Sequence, residues 1–177
     1  MSTSTQRHKS EAPKSLSFAV LTISTSKYNQ GKGGKEEVED KSGNIIAALL
    51  QQAGHNVVAR SLIADDPKTI EGMIKKFTED AEIDAVVTTG GTGVSRYDVT
   101  IEVVEGLMEK KLPGFGEAMR RLSYDRIGSA AIMTRATAGT LRGKAVFCLP
   151  GSPNAVEMAV EALIIPEAAH VVKHSRE

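Results

Sequence analysis

Thr88-Thr89-Gly90-Gly91-Thr92-Gly93-Val94-Ser95-Arg96-Tyr97-Asp98-Val99-Thr100 is the stretch on which the reading of this chain turns. Asp84-Ala85-Val86-Val87 just before it has the β-branched and small residues of a short buried strand. After it, Thr100 is placed to cap a helix through Glu102, Val103, Leu107 and Met108. A strand, a glycine-rich loop and a helix start form the arrangement in which backbone N–H groups point at an anion. Gly90, Gly91 and Gly93 let such a loop bend and let a ligand approach the backbone, and Thr92 adds a hydroxyl. Asp98 brings a carboxylate to the far end, which beside phosphates makes sense mainly as a Mg²⁺ ligand. The stretch therefore reads as a nucleotide-phosphate and metal site. Gly-Gly and Thr-Gly also make ordinary turns, and Asp98 also suits a helix N-terminus. It is not a Walker loop, since no Gly-Lys-Ser/Thr follows, and its glycine spacing is not the dinucleotide fingerprint.

Working outward, Leu16 to Ser24 is a near-continuous apolar run of the kind buried on both faces of a parallel sheet. Tyr28 to Glu39 is glycine-rich and charged and reads as a mobile surface loop. Asp40 and Ser42 open a helix through Ile45, Ile46, Leu49 and Leu50, which Gly54 stops. His55 to Ala64 is a second strand with no evident chemical role for His55. Asp66 as cap and Pro67 as first helical residue start the next helix, along which Ile70, Met73, Ile74 and Phe77 recur at helical spacing. Strand, helix, strand, helix, strand at this spacing is a βαβ series, so the sheet is expected to be mostly parallel. Ligands of such sheets bind beyond the carboxyl ends of the strands, which groups Ser24, Asp65 and the Gly90–Asp98 loop on one rim.

Beyond the central stretch, Pro113 to Glu117 turns the chain into a helix through Met119, Arg120 and Leu122. Ser129 to Thr134 fits helix or strand. Arg135 to Gly143 resembles a hairpin edge with Gly139 and Gly143 as turn points, and Ala145 to Leu149 is another buried strand. Leu149-Pro150-Gly151-Ser152-Pro153-Asn154 then repeats the order strand, glycine turn, helix. Ser152 as N-cap and Pro153 as first helical residue account for that spacing structurally. The same residues could form a second anion pocket, with Ser152 and Asn154 as donors.

The whole-chain numbers restrict the function classes. A length of 177 residues suits one domain, here expected as residues 15–177 behind a disordered tail of residues 1–14. Lys+Arg and Asp+Glu both total 22, and aromatics are 4% with no Trp, which disfavours nucleic-acid binding. Cys148 is the only cysteine and lies in an apolar run, as a core thiol does. No apolar run reaches membrane-span length and no hydrophobic signal core precedes the first strand, so the expected location is cytoplasmic. His170 and His174 stand four apart on a final helix without a third ligand in sight, a poor metal site.

Thr-Thr-Gly-Gly-Thr-Gly with Arg-Tyr-Asp-Val-Thr, preceded by Ala64-Asp65-Asp66-Pro67 and followed by Leu149-Pro-Gly-Ser-Pro-Asn-Ala-Val156, resembles the MoaB/Mog family of molybdenum cofactor biosynthesis. Its plant and animal relatives are the G domains of Cnx-type proteins and gephyrin. Pro113-Gly-Phe-Gly-Glu117 agrees, and the resemblance runs from about Phe18 to Ile165. It implies an α/β fold, a three-layer α/β/α sandwich with a mostly parallel central sheet, assembled as a homotrimer or hexamer. The implied activity is molybdopterin adenylyltransferase: AMP passes from MgATP to the terminal phosphate of molybdopterin and pyrophosphate is released. The product would be handed to a MoeA-type metal insertase.

Carried over residue by residue, the resemblance puts two functional carboxylates at Asp65 and Asp98, both expected to act on Mg²⁺. It puts the nucleotide at Gly90, Gly91, Thr92 and Gly93, and the pterin at Ser24, Ser152 and Asn154. The chain departs from many relatives at Ser24-Thr25, where they have Ser-Asp, and in the longer, charged segment Tyr28–Glu39. It also has Tyr97 directly before the aspartate, either packing or stacking on a base. The competing reading is a non-catalytic module that holds molybdopterin without making the adenylylated product; intact Asp65 and Asp98 favour the enzyme. A MoeA-type insertase shares this domain's fold but carries further domains.

Overall fold

The computed structural model describes residues 13–32 and 38–177. Six strands form one mixed sheet in the order β2-β1-β3-β6-β5-β4. They are β1 (Ser17–Ile23), β2 (Asn56–Ile63), β3 (Ala85–Thr89), β4 (Lys110–Lys111), β5 (Thr137–Leu141) and β6 (Lys144–Leu149). β2, β1, β3 and β6 run parallel, while β5 and β4 return antiparallel along one edge. The expected mostly parallel three-layer sandwich is the fold observed.

Period-two alternation on the central strands divides the core into two layers. Phe18, Val20, Val87 and Phe147 face one side, where they pack with Ile46 and Leu50 of α2 (Lys41–Gln52) and Met119 of α5 (Pro113–Ile127). The C-terminal helices α6 (Pro153–Ala159) and α7 (Ile165–Ser175), joined by a π-helical turn, complete that layer through Val156, Ala168 and Val172. Ala19, Leu21, Ile23, Val86 and Cys148 face the other side. There they meet Ile70, Ile74 and Phe77 of α3 (Pro67–Glu79), and Ile101 and Val104 of α4 (Thr100–Leu107). His55 is structural: its Nδ1 accepts from the Leu16 N–H at 3.2 Å and its ring lies 5.3 Å from that of Phe18.

Local chemistry explains the helix starts. Asp40 Oδ1 accepts from Gly43 N at 3.0 Å and Asp66 Oδ2 from Thr69 N at 2.8 Å, each satisfying a first-turn donor. Gly54, at φ +86°, ends the turn after α2.

Several expectations are corrected. Thr25–Lys32 is a helix, α1, so Tyr28 to Lys32 is not a surface loop. It forms despite Gly31 because its first turn is tied to the loop after β2, a tertiary contact that outweighs propensity. Residues 33–37 of that segment and 1–12 of the expected tail lie outside the described residues. Thr100 does not cap α4 but is its first residue; Thr100 N donates to Gly91 O at 3.0 Å, so a loop carbonyl does the work of a cap. Pro113 is already helical, and Gly128–Met133 is a 3₁₀ turn. Gly139 lies inside β5 between β4 and β6, leaving Arg142-Gly143 as the hairpin turn. The two-residue β4 is too short for periodicity to show.

Candidate active site

The chain crosses from β2, on one side of β1, to β3 on the other. The four parallel strands therefore end on one rim, at a point where strand order reverses. The loops that follow carry Ser24 after β1, Asp65 after β2, Gly90 to Val99 after β3 and Pro150 to Ser152 after β6. Short bonds lock them together. Ser24 N donates to Ile63 O at 2.8 Å and Gly90 N to Leu149 O at 3.1 Å. Thr89 Oγ1 donates to Pro150 O and Ser42 Oγ to Gly151 O, both at 2.8 Å.

Two clefts open on this rim. The first has a volume of about 310 Å³ and is lined by hydroxyls, including those of Ser24, Ser26 and Ser42, with Lys27 and Asp65 as its charged residues. The second, about 470 Å³, is lined by Gly90 to Gly93, Asp98 and Arg135, with Ile127, Ala130 and Met133 as an apolar wall. Gly90, Gly91 and Gly151 border both, so one thin backbone partition separates the clefts. At Gly90 and Gly91 the partition has room for nothing larger. A Cβ on Gly90 (φ +96°) would strike Ile23 O, and one on Gly91 (φ +63°) would strike Thr100 Oγ1 and come 2.7 Å from Asp65 Oδ1.

Asp65 is held by Thr25. Its Oδ2 accepts from Thr25 N at 2.7 Å and Thr25 Oγ1 at 2.9 Å, while Asp65 N donates to Thr25 Oγ1 at 2.9 Å. Oδ1 accepts no hydrogen bond among the described residues and faces Gly91. Asp98 Oδ2 accepts from Ser95 N at 2.9 Å, folding the carboxylate back over Gly93, and its Oδ1 is likewise uncommitted among the described residues. Thr100 Oγ1 is buried and has no hydrogen-bond partner there either.

The rim thus gathers Ser24, Asp65, Gly90, Gly91, Thr92, Gly93, Asp98 and Ser152, but does not place them in one pocket. Asp65 and Asp98 lie in different clefts, on either side of Gly90-Gly91. Ser24 lines the first cleft and Ser152 the second; Asn154 is exposed and lines neither. Ser152 Oγ accepts from Ala155 N at 3.3 Å, so its hydroxyl caps α6. Tyr97 is exposed, with the Arg96 guanidinium 4.7 Å from its ring centre.

Three lining residues escaped the sequence. Thr25 and Lys27 are positioned by α1. Arg135 Nη1 donates to Gly93 O at 2.9 Å and Nη2 pairs with Glu102, closing the second cleft across 42 residues of sequence. No local signal marks such a pairing. Cys148 is fully buried between the layers and burial pushes its thiol up to about 12, so it is no nucleophile. Among the described residues no group of three or more His, Cys, Asp or Glu side chains could hold a metal by themselves, His170 and His174 included. No helix there is long and apolar enough to cross a membrane.

Comparison with known proteins bears on this rim. The family described as "Probable molybdopterin binding domain" matches residues 19–170. Molybdenum cofactor biosynthesis protein B of Bacillus subtilis is 44% identical over 174 residues, covering 98% of each chain. Molybdopterin adenylyltransferase of Pyrococcus furiosus is 45% identical over 177 residues, covering 97% of this chain and 98% of that one. Among solved structures, the tungsten cofactor synthesizing protein MoaB of Pyrococcus furiosus superposes with a TM-score of 0.81 at 42% identity, over 94% of this chain and all (100%) of the other. A molybdenum cofactor biosynthesis protein B structure gives 0.83 at 38% identity, over 94% and 99%.

Proposed function

This chain belongs to the MoaB/Mog family of molybdenum cofactor biosynthesis, and on that premise we propose that its rim is the active site of a molybdopterin adenylyltransferase. The observation that carries the assignment is the shared partition: two clefts, each with its own carboxylate, meet at Gly90, Gly91 and Gly151. An enzyme joining two phosphorylated molecules needs two binding pockets that touch where the phosphates react.

The second cleft takes ATP. Its backbone at Gly90 to Gly93 lies against the phosphates, and the wall of Ile127, Ala130 and Met133 suits a purine. The first cleft takes molybdopterin, with Ser24 on the pterin side. Ser152 lines the nucleotide cleft across the partition and Asn154 lines neither cleft, so the pterin would reach them only by its phosphate end extending past Gly151. In the reaction a terminal phosphate oxygen of molybdopterin attacks the α-phosphorus of ATP. A new P–O bond forms as the bond to the β-phosphate breaks, and pyrophosphate leaves with the electron pair. The attacking phosphate is itself the nucleophile, so no protein nucleophile is needed, consistent with the inert Cys148. The chain's work is to position two anions and to supply donors for the charge that builds between them.

Mg²⁺ fits the donors present: Asp65 and Asp98 each keep one carboxylate oxygen uncommitted among the described residues. Mg²⁺ is characteristically held by one or two carboxylates plus substrate phosphates. Bound there, it would neutralise phosphate charge. Asp98 is assigned as the principal ligand and Asp65 as second ligand or organiser.

Residues 15–177 act in this reading as one molybdopterin-binding domain in the cytoplasm. The protein is a homotrimer or hexamer, and the exposed Tyr124 and Ile132, outside both clefts, offer apolar surface for such contacts to cover. The product passes to a MoeA-type insertase, where molybdenum or tungsten enters. The direct test is to incubate the protein with MgATP and molybdopterin and to measure pyrophosphate and adenylylated molybdopterin together. Equimolar formation is expected; pyrophosphate without the adenylylated pterin would refute the reaction written here.

A further inference from the structure

The first cleft has a charge requirement that its hydroxyls do not meet. It must admit a phosphate dianion beside Asp65, yet among its described lining residues Lys27 alone is cationic. In the second cleft Arg135 is already engaged with Glu102 and Gly93 O, so it is not available across the partition.

Lys27 is held at the mouth of the first cleft by α1, where Lys27 N lies 3.5 Å from Ser24 Oγ. Among the described residues its ammonium has one nearby carboxylate, Asp40 Oδ1, at 3.9 Å, beyond hydrogen-bond reach. Asp40 does not depend on it. Asp40 accepts from Thr22 Oγ1 at 2.6 Å and Gly43 N at 3.0 Å, and Arg60 stands 3.7 Å away. The Lys27 side chain is about one-third exposed (32%) and makes no hydrogen bond among the described residues. A flexible stem with an uncommitted ammonium over a hydroxyl-lined pocket is suited to closing on phosphate oxygens.

We infer that Lys27 is the phosphate-binding cation of the first cleft, contacting the terminal phosphate of the pterin and selecting for the phosphorylated substrate. The assignment of that cleft to molybdopterin rests on the proposed function. Lys27 turns from Asp40 to the incoming phosphate, offsets its repulsion by Asp65 and leaves the nucleotide cleft untouched.

The experiment compares wild type, Lys27→Gln and Lys27→Arg, with reduced molybdopterin and MgATP each varied in turn. Direct binding of molybdopterin is also measured without nucleotide. Lys27→Gln is expected to fold normally, since the side chain anchors no hydrogen bond, and a melting curve verifies this. Its KM and Kd for molybdopterin should rise about tenfold or more, as for the loss of one charge-assisted hydrogen bond. KM for MgATP should stay within about twofold, because Arg135 and the glycine loop serve that cleft. Lys27→Arg should recover most of the molybdopterin affinity. An unchanged molybdopterin Kd in Lys27→Gln overturns the inference, as does an equal rise for MgATP. If wild type binds molybdopterin but makes no pyrophosphate, the adenylyltransferase reading fails while the Kd comparison still decides the role of Lys27. If wild type binds no molybdopterin, both fall.

Discussion

Asp65 and Thr25 hold each other through three hydrogen bonds: Thr25 N and Oγ1 donate to Asp65 Oδ2, and Asp65 N donates back to Thr25 Oγ1. This reciprocal clasp joins the loops after β1 and β2, starts α1 and aims Asp65 Oδ1 at Gly91. Thr25→Val removes two of the three bonds while keeping side-chain shape. Stability should fall by about 1 kcal/mol, the usual worth of exposed hydrogen bonds. Adenylyl transfer should fall by roughly 10- to 100-fold as the carboxylate loses its aim. Thr25→Ser should restore both, which urea melts and initial rates would check.

Gly91 is the tightest point of the partition. An alanine there meets an unfavourable φ of +63° and presses on Thr100 Oγ1. The backbone term alone costs about 1–2 kcal/mol, and the loop must also shift. Gly91→Ala should lower the melting temperature and abolish turnover, whereas Gly106→Ala, where a Cβ meets nothing, should melt no lower than wild type.

Thr100 carries a buried hydroxyl without a partner among the described residues. Leaving such a group unpaired costs about 1–3 kcal/mol, so its replacement by a methyl should not harm the unliganded fold. Thr100→Val is expected to melt at the wild-type temperature or above. A clear drop would mean that the hydroxyl has a partner after all.

His55 gives the fold a pH dependence. Burial, which disfavours the charged ring, lowers its pKa below the ordinary 6.5. Folded, it binds fewer protons than unfolded, so its contribution is present above pH 6.5 and is lost as pH falls from there through the folded pKa. Melting temperature should therefore decline on acidification across that window. His55→Gln, which keeps an acceptor but does not titrate, should show a shallower decline.

Much of the fold was legible because local and tertiary signals agreed. Asp66-Pro67 and Ser152-Pro153 mark helix starts by capping chemistry alone, and the apolar runs of β1, β3 and β6 announce strands buried on both faces. α1 was illegible because Gly31 and the polar residues around it favour a loop, and the clasp that fixes it lies 40 residues away. The rim could be read from the rule for parallel sheets, but its division into two clefts could not. β3 sits between β1 and β6, so Ser24 and Ser152 fall on opposite sides of the Gly90-Gly91 partition. That separation depends on strand order, which sequence spacing does not encode. Lys27 was hidden because the helix that carries it was, and Arg135 because its contact with Gly93 O spans 42 residues of sequence.

In the proposed reaction the rim transfers AMP to molybdopterin with Asp98 holding the metal. Pyrophosphate release with MgATP and molybdopterin, compared between wild type and Asp98→Asn, tests it most directly. The account predicts turnover in the wild type and a loss of about 100-fold or more in the variant, with molybdopterin still bound, as expected when a charge-stabilising group is removed. Tight molybdopterin binding by the wild type without any pyrophosphate would contradict it and leave a module that holds the pterin without adenylylating it.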